Sequence, residues 1–248
     1  MSDYQTRYAT APVAADMSVD AGLRAFMLGV YNKVALGLVL SAALAFLTSS
    51  FPPVRDLLFS VTADGRLAGV TPLYYVVAFA PLVILLVSGF ALKNPSPRSS
   101  GAIYWTIVAL IGASLGTLVF RYTGESIATT FLITAAAFGG LSLFGYTTKR
   151  DLSPIGSFLI IGLVGLVIAM IVNMFIQSSM MAFIISAAGV LIFAGLIAYD
   201  TQRLKMTYYQ LNQDQTALGV ATNYGALSLY LDFINLFQFL LMIFGGRR

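Results

Sequence analysis

Long apolar runs follow one another along this chain, separated by short polar stretches. Each run is near the roughly 20 residues that an α-helix needs to cross the hydrocarbon core of a bilayer. Helix-breaking residues lie between the runs, as in Phe51-Pro52-Pro53 and Asn94-Pro95-Ser96-Pro97. The pattern therefore predicts about seven membrane-spanning helices, at residues 26–49, 73–92, 102–120, 126–146, 155–176, 181–199 and 218–244.

Composition supports a membrane protein. Hydrophobic residues make up 58% of the 248 residues and charged residues only 10%, against a charged share of about 25% in soluble domains. We therefore predict an all-α, polytopic helical bundle that forms a single membrane domain over residues 26–248. A polar tail of residues 1–25 precedes it. The first apolar run is too long for the core of a signal peptide, so we expect it to remain as a membrane anchor.

The basic residues indicate an orientation. Cytoplasmic loops of membrane proteins are enriched in Lys and Arg, and a cytoplasmic amino terminus places nine basic residues inside and three outside. We therefore predict a bacterial inner-membrane protein with a cytoplasmic amino terminus. Arg247 and Arg248 would lie outside if the last run spans, so that run either breaks the rule or is re-entrant. The inner set is Arg7, Arg24, Lys33, Lys93, Arg98, Lys149, Arg150, Arg203 and Lys205; the outer set is Arg55, Arg66 and Arg121.

The chain has no cysteine and no histidine. Disulfides, Cys/His metal sites and Ser-His or Cys-His catalysis are therefore excluded. We expect no cofactor, and the scattered basic residues give no expectation of nucleic acid as a partner. A response to protons near neutral pH would have to come from carboxylates, because histidine is the usual switch.

Two of the ten acidic residues fall in the apolar runs. Asp200 ends the sixth run and Asp232 lies inside the seventh. A carboxylate within a membrane costs about 2.5–3.5 kcal/mol on insertion scales and usually serves a function. Ser228, Asp232 and Asn235 share one helical face by their spacing, so the last helix should carry a polar stripe. For Asp200 a second reading stays open, a solvated residue at a helix end.

Two carboxylates on consecutive helices can approach each other. Like charges that close would not both ionise, so the pair would hold one proton between them. When deprotonated, Asp200 and Asp232 would offer the oxygen ligands that Ca²⁺ prefers. A cation at the same depth, Lys93 or Arg203, is a candidate latch that pairs with the acids in a closed state. Lys93 can also be read as a lysine that extends from a helix end to the membrane surface.

At these residues the chain resembles the Bax inhibitor family, also called the transmembrane Bax inhibitor motif family. The resemblance is carried by residues 226–237, Ala-Leu-Ser-Leu-Tyr-Leu-Asp-Phe-Ile-Asn-Leu-Phe, and by Tyr199-Asp200-Thr201-Gln202. It implies a stress-protective, pH-sensitive calcium-leak channel whose last helix is surrounded by the other six. It also implies that Asp200 and Asp232 match the family's acidic pair. The short loops fit a bacterial-type member.

Other functions remain open. Some bacterial relatives resemble non-conducting regulators of a membrane quality-control protease, and the polar tail of residues 1–25 would then matter more than the acids. A proton-coupled transporter also uses intramembrane acids. An enzyme is not expected: intramembrane aspartyl proteases have Gly-x-Gly before the second aspartate, whereas Leu229-Tyr230-Leu231 precedes Asp232 here.

Overall fold

The computed structural model describes residues 21–91, 94–211 and 214–246. Its helices are α1 (Ala21–Ser50), α2 (Pro52–Leu58), α3 (Pro72–Ala91), α4 (Pro97–Ser114), α5 (Gly116–Arg121), α6 (Gly124–Thr147), α7 (Ser153–Ile176), α8 (Ser179–Leu211) and α9 (Gln215–Phe244). Seven of these helical segments, with α4 and α5 counted as one, are long and apolar enough to cross a membrane. The predicted all-α, seven-segment fold is therefore confirmed.

Some boundaries differ from the prediction. Helix α1 begins at Ala21, inside the stretch predicted as a polar tail, because Leu23 is fully buried against the bundle. Residues 1–20 of that tail lie outside the described residues. Helix α8 continues to Leu211, well past the predicted end at Tyr199, because Leu204 and Lys205 are buried on it.

A short antiparallel hairpin was not predicted. Strands β1 (Phe59–Val61) and β2 (Leu67–Val70) follow α2 and pair with each other. The turn between them contains Gly65 at φ 75°, a left-handed conformation that glycine adopts without steric cost. The hairpin and α2 together connect α1 to α3.

The seven spans alternate in direction. We call the end of the bundle where α1, α4, α7 and α9 begin the near end, and the opposite end the far end. Helix α9 begins beside α4, where Asn223 donates a hydrogen bond to the carbonyl of Pro97 at 2.9 Å. It ends beside the start of α6, where the Gly246 amide donates to Ser126 Oγ at 2.9 Å. This uninterrupted course favours a spanning last segment over a re-entrant one; Arg247 and Arg248 lie outside the described residues.

Helix α9 is the centre of the bundle. In its most hydrophobic membrane-length window 61% of the residues are buried, against 33% or less in the other six spans. It packs directly on α1, α4, α6 and α8, whereas α3 packs on α4 and α7 packs on α8. The last helix is therefore central, as predicted, but four of the other six spans enclose it directly and two lie outside.

Close approach of α1 to α4 depends on a small residue. A Cβ atom at Gly112 would lie 2.6 Å from the Cα of Ser41, closer than such atoms can come. Ser41 in turn donates to the Val108 carbonyl at 3.2 Å and shares a 2.6 Å hydrogen bond with the Tyr230 hydroxyl. One serine thus ties α1 to both α4 and α9.

Candidate functional site

The candidate site lies between α8 and α9, which pack antiparallel. Leu204 fits against Gly225, and Phe239 fits against Gly189. Between these two contacts, Ser228 donates a short hydrogen bond to the Asp200 carboxylate. This bond places Asp200 of α8 level with Ser228 of α9.

Asp232 lies one helical turn further toward the far end, because it follows Ser228 by four residues. Side chains lean toward the amino-terminal end of their own helix. Since the two helices run in opposite directions, Asp232 leans toward Asp200 and Asp200 leans toward Asp232. The two carboxyl groups accordingly interact, and each residue is only 5% exposed. The sequence-predicted pair is therefore together in space.

One oxygen of the pair lacks a partner. Asp232 Oδ2 is buried and accepts no hydrogen bond within the described part of the chain. A buried carboxylate oxygen without a donor is costly, so packing alone gives no reason for an aspartate at this position. The oxygen is free to accept a proton or to face a cation.

Arg203 covers the near-end side of the pair. Its guanidinium lies 3.1 Å from Asp200 Oδ1 and 3.3 Å from Ser228 Oγ. Its side chain is 47% exposed whereas that of Asp200 is 7% exposed. The guanidinium also lies over the ring of Tyr199, 5.5 Å from the centroid. Arg203 thus closes the acid pair off from the solvent at the near end.

Two other predicted site residues do not join this cluster. Asn235 is half-buried, and its amide nitrogen donates to the carbonyl of Leu231 at 2.8 Å, within its own helix. Lys93, the other candidate latch, lies outside the described residues. Of the two candidate cations, Arg203 is the one that the described residues place against Asp200.

The donor set is small for a resident metal ion. The described residues contain no cluster of three or more acidic, histidine or cysteine side chains. Ca²⁺ takes six to eight oxygen ligands, and Asp200, Asp232 and Ser228 supply only part of that number. These three side chains alone therefore do not complete a Ca²⁺ coordination shell.

Residues around Asp200 fix its position from several sides. Tyr199 packs on α7 at Gly156, where no Cβ could fit beneath its ring. Thr201 donates to the Ile197 carbonyl at 2.8 Å and lies 3.4 Å from Ser142 Oγ of α6. Because these neighbours of Asp200 face different helices, α8 is held at this turn by α6, α7 and α9 together.

Gln202 completes this arrangement at the near end. Its side-chain oxygen accepts a hydrogen bond from the Leu152 amide at 2.8 Å, and its nitrogen donates to the Arg150 carbonyl at 2.8 Å. Both partners belong to the turn between α6 and α7. Asp200 precedes Gln202 by two residues on α8. It therefore lies about half a helical turn from the level of the turn between α6 and α7.

Sequence reasoning missed one residue of this region. Lys205, predicted as a loop cation, is only 3% exposed; its ammonium donates to the Tyr146 carbonyl at 2.6 Å and lies 5.3 Å from the centroid of that ring. It thereby satisfies the carboxyl-terminal end of α6, where cations are favoured. Lys205 follows Thr201 by four residues, which puts both on one face of α8. This spacing was the sequence signal that could have indicated the burial of Lys205.

The sequence is similar to one protein-family model and to several bacterial proteins. The sequence model of the family described as "Inhibitor of apoptosis-promoting Bax1" matches residues 23–248. A protein of Caulobacter vibrioides is 67% identical over the full length of both chains. Protein RP147 of Rickettsia prowazekii is 40% identical, also over both full lengths. The inner membrane protein YbhL of Escherichia coli is 40% identical over 92% of this chain and 94% of its own length.

Replacing Gln202 with Ala should loosen the α6–α7 turn. The substitution removes two hydrogen bonds, each with a net value of about 1 kcal/mol, so exchange of the Leu152 amide should accelerate by about fivefold or more. Hydrogen exchange measured on the protein in detergent tests this. Gln210→Ala, on an exposed position of the same helix, is the matched control and should leave that rate unchanged. Equal rates in all three proteins would show that Gln202 does not hold the turn.

Proposed function

This chain belongs to the Bax inhibitor family, and from that premise we propose that it is a pH-sensitive leak channel for Ca²⁺ or another cation, gated by Asp200 and Asp232. The observation that carries the proposal is the pair itself, two carboxyl groups that interact inside a membrane bundle at 5% exposure each. An ion pair with Arg203 would account for Asp200 alone. Asp232 has no such structural explanation, which supports a functional one.

The proposal places the near end of the bundle in the cytoplasm. This orientation rests on the excess of Lys and Arg in the near-end loops. It sets the acid pair just inside the cytoplasmic surface, with Arg203 between the pair and the cytosol. A bacterial inner membrane is the expected location, because the Escherichia coli relative YbhL is described as an inner membrane protein.

Arg203 is the proposed latch. In the closed arrangement its guanidinium pairs with Asp200 at 3.1 Å. Protonation of the pair removes the negative charge that holds the guanidinium, so the latch weakens as pH falls. Arg203 can then move into the solvent that already surrounds half of its side chain. With the latch open, a cation would pass the pair, using its carboxyl oxygens as transient ligands.

A polar stripe along α9 marks the proposed route. Ser228, Asp232, Asn235 and Gln238 follow at intervals of three or four residues, a rise of about 15 Å along the helix. Gln238 lines a cavity of about 410 Å³ at the far end, together with Tyr74 and Arg121. Asn235 lies between that cavity and the acid pair.

The described conformation is closed along this route. On the face of α9 that carries the stripe, Phe239 stacks on Phe193 of α8 with ring centroids 5.9 Å apart, and the two residues are 4% and 5% exposed. A hydrated cation cannot pass closely packed aromatic side chains. Opening therefore requires a displacement of α9 relative to α8.

Neutralising either acid should flatten the pH dependence of cation flux. In proteoliposomes, flux through the native chain should rise on acidification from about pH 8 to about pH 5, by up to about tenfold per pH unit where one proton controls opening. Asp200→Asn releases Arg203 and Asp232→Asn removes the partner that shares the proton, so either variant should vary by less than about twofold over that range. Asp214→Asn, which preserves the amino-terminal cap of α9, is the control and should behave like the native chain.

The same assay separates the proposal from its main alternative. Flux that is independent of pH in the native chain would remove the acidic gate. A purified native chain that conducts nothing at any pH would instead favour the non-conducting regulator of a membrane protease.

Arg203→Gln should open the channel at neutral pH. Loss of a half-exposed ion pair is equivalent to about 1 kcal/mol, so flux at neutral pH should rise by about fivefold. Arg203→Lys keeps the charge and should stay close to native behaviour. Arg98→Gln removes another exposed cation at the near end and serves as the matched control. Unchanged flux in Arg203→Gln would exclude Arg203 as the latch.

Asn235→Leu should block the route without altering the gate. A leucine removes the polar group between the acid pair and the far-end cavity, a loss of roughly 1–3 kcal/mol for a passing cation, so flux at acidic pH should fall about tenfold. Asn235→Ser retains a polar group and should conduct. The residual flux of Asn235→Leu should keep the native pH profile, and native flux in that variant would place the route elsewhere.

A further inference from the structure

A crevice separates α1 from α6 at the near end of the bundle. Its volume is about 610 Å³, within the roughly 300–1,000 Å³ range of ligand sites. Each of the two helices forms one wall of the crevice. Its lining includes Arg24, Met27 and Tyr31 of α1 and Phe138, Ser142 and Tyr146 of α6.

The crevice opens sideways. Leu28 and Leu143 form its rim and are 49% and 63% exposed, whereas Met27 inside it is 3% exposed. Both helices are membrane-crossing segments, so the opening faces the surface that lipid covers. From Arg24 to Tyr31 the crevice extends about 10 Å along α1. This length is less than the hydrocarbon thickness of one leaflet.

Gly139 leaves space inside the crevice. It lines the cavity, and a Cβ atom there would meet no other atom within 4 Å. The wall around it is largely apolar, as a hydrocarbon chain requires. Straight acyl chains fit such narrow apolar channels because they can follow the space between two helices.

The mouth of the crevice carries positive charge. Arg24 is exposed at the first turn of α1 and makes no ion pair within the described residues. The described residues of the lining include no acidic side chain, and the hydroxyls of Tyr31 and Ser142 lie deeper. Basic pockets between membrane helices bind anionic lipid head groups, and Arg recognises phosphate with two parallel hydrogen bonds.

We propose that this crevice binds one anionic glycerophospholipid from the leaflet at the near end. Its phosphate lies at Arg24, and one acyl chain enters between α1 and α6 beside Gly139. The site is separate from the acid pair and does not depend on cation conduction. It assigns a role to a cavity that the proposed channel leaves unused.

Filling the crevice tests the site directly. Gly139→Leu should abolish retention of phosphatidylglycerol, measured by native mass spectrometry after addition of that lipid to the purified protein in detergent. Gly140→Leu is the matched control: it is the adjacent exposed glycine, its Cβ would also meet nothing within 4 Å, and it does not line the cavity. The control should bind one lipid as the native chain does. Equal binding by both variants would overturn the proposal.

Arg24→Gln tests the head-group contact. The native chain should bind phosphatidylglycerol about tenfold more tightly than phosphatidylcholine, the equivalent of about 1.4 kcal/mol for a charge-assisted contact. Arg24→Gln should lose this preference while its binding of phosphatidylcholine stays unchanged. Arg98→Gln, the control cation, should keep the preference. A native chain without preference for the anionic lipid would contradict the proposed phosphate contact.

The amino-terminal tail is the competing occupant. If residues 1–20 filled the crevice, the native chain would bind no lipid and a chain lacking residues 2–20 would bind it. That outcome would overturn the proposal. Equal lipid binding by the native and shortened chains is the expected result.

Discussion

The structure depends on burying α9, a helix that carries polar groups, at the centre of a membrane bundle. A membrane interior offers no water, so each buried polar group needs a donor or acceptor from a neighbouring helix. Asn223 forms a hydrogen bond with α4, Tyr230 with Ser41 of α1, and Ser228 with Asp200 of α8. These contacts, distributed around the helix, orient α9 uniquely, whereas apolar packing alone would tolerate rotation. Two buried oxygens of α9 accept no hydrogen bond from the described residues, Asn223 Oδ1 and Asp232 Oδ2.

The unpartnered oxygen of Asp232 gives the candidate site its asymmetry. Asp200 is held by Arg203 and Ser228, and its helix is held by α6 and α7, whereas Asp232 has the Asp200 carboxyl as its principal polar neighbour. In the proposed gate, a fixed carboxyl group lies beside a poorly satisfied one, and a proton can move between the two with little rearrangement. The apolar packing around the pair offsets the free energy that burying the unpartnered oxygen costs.

Much of this could be predicted from the sequence, because the bilayer imposes a strong and simple pattern. Apolar runs of membrane length located all seven spans, and an aspartate among leucines identified Asp232 without structural knowledge. The ends of α1 and α8 could not be placed in this way, since Leu23 and Lys205 belong to helices only through tertiary burial. Lys205 resembled a loop cation in sequence because its partner, the Tyr146 carbonyl, is a backbone atom. The crevice between α1 and α6 is a gap between two helices that Gly139 leaves unfilled, and no pattern of polarity reveals it.

The four residues from Tyr199 to Gln202 occupy one turn of α8 and face α7, α9, α6 and the α6–α7 turn in sequence order. This single helical turn therefore contacts three neighbouring helices. A rotation of α8 large enough to free one of these contacts would disturb the other three in the same movement. Intermediate positions would lose several contacts at once without gaining new ones. The turn should thus behave as a two-position device, with abrupt rather than graded transitions between its two arrangements.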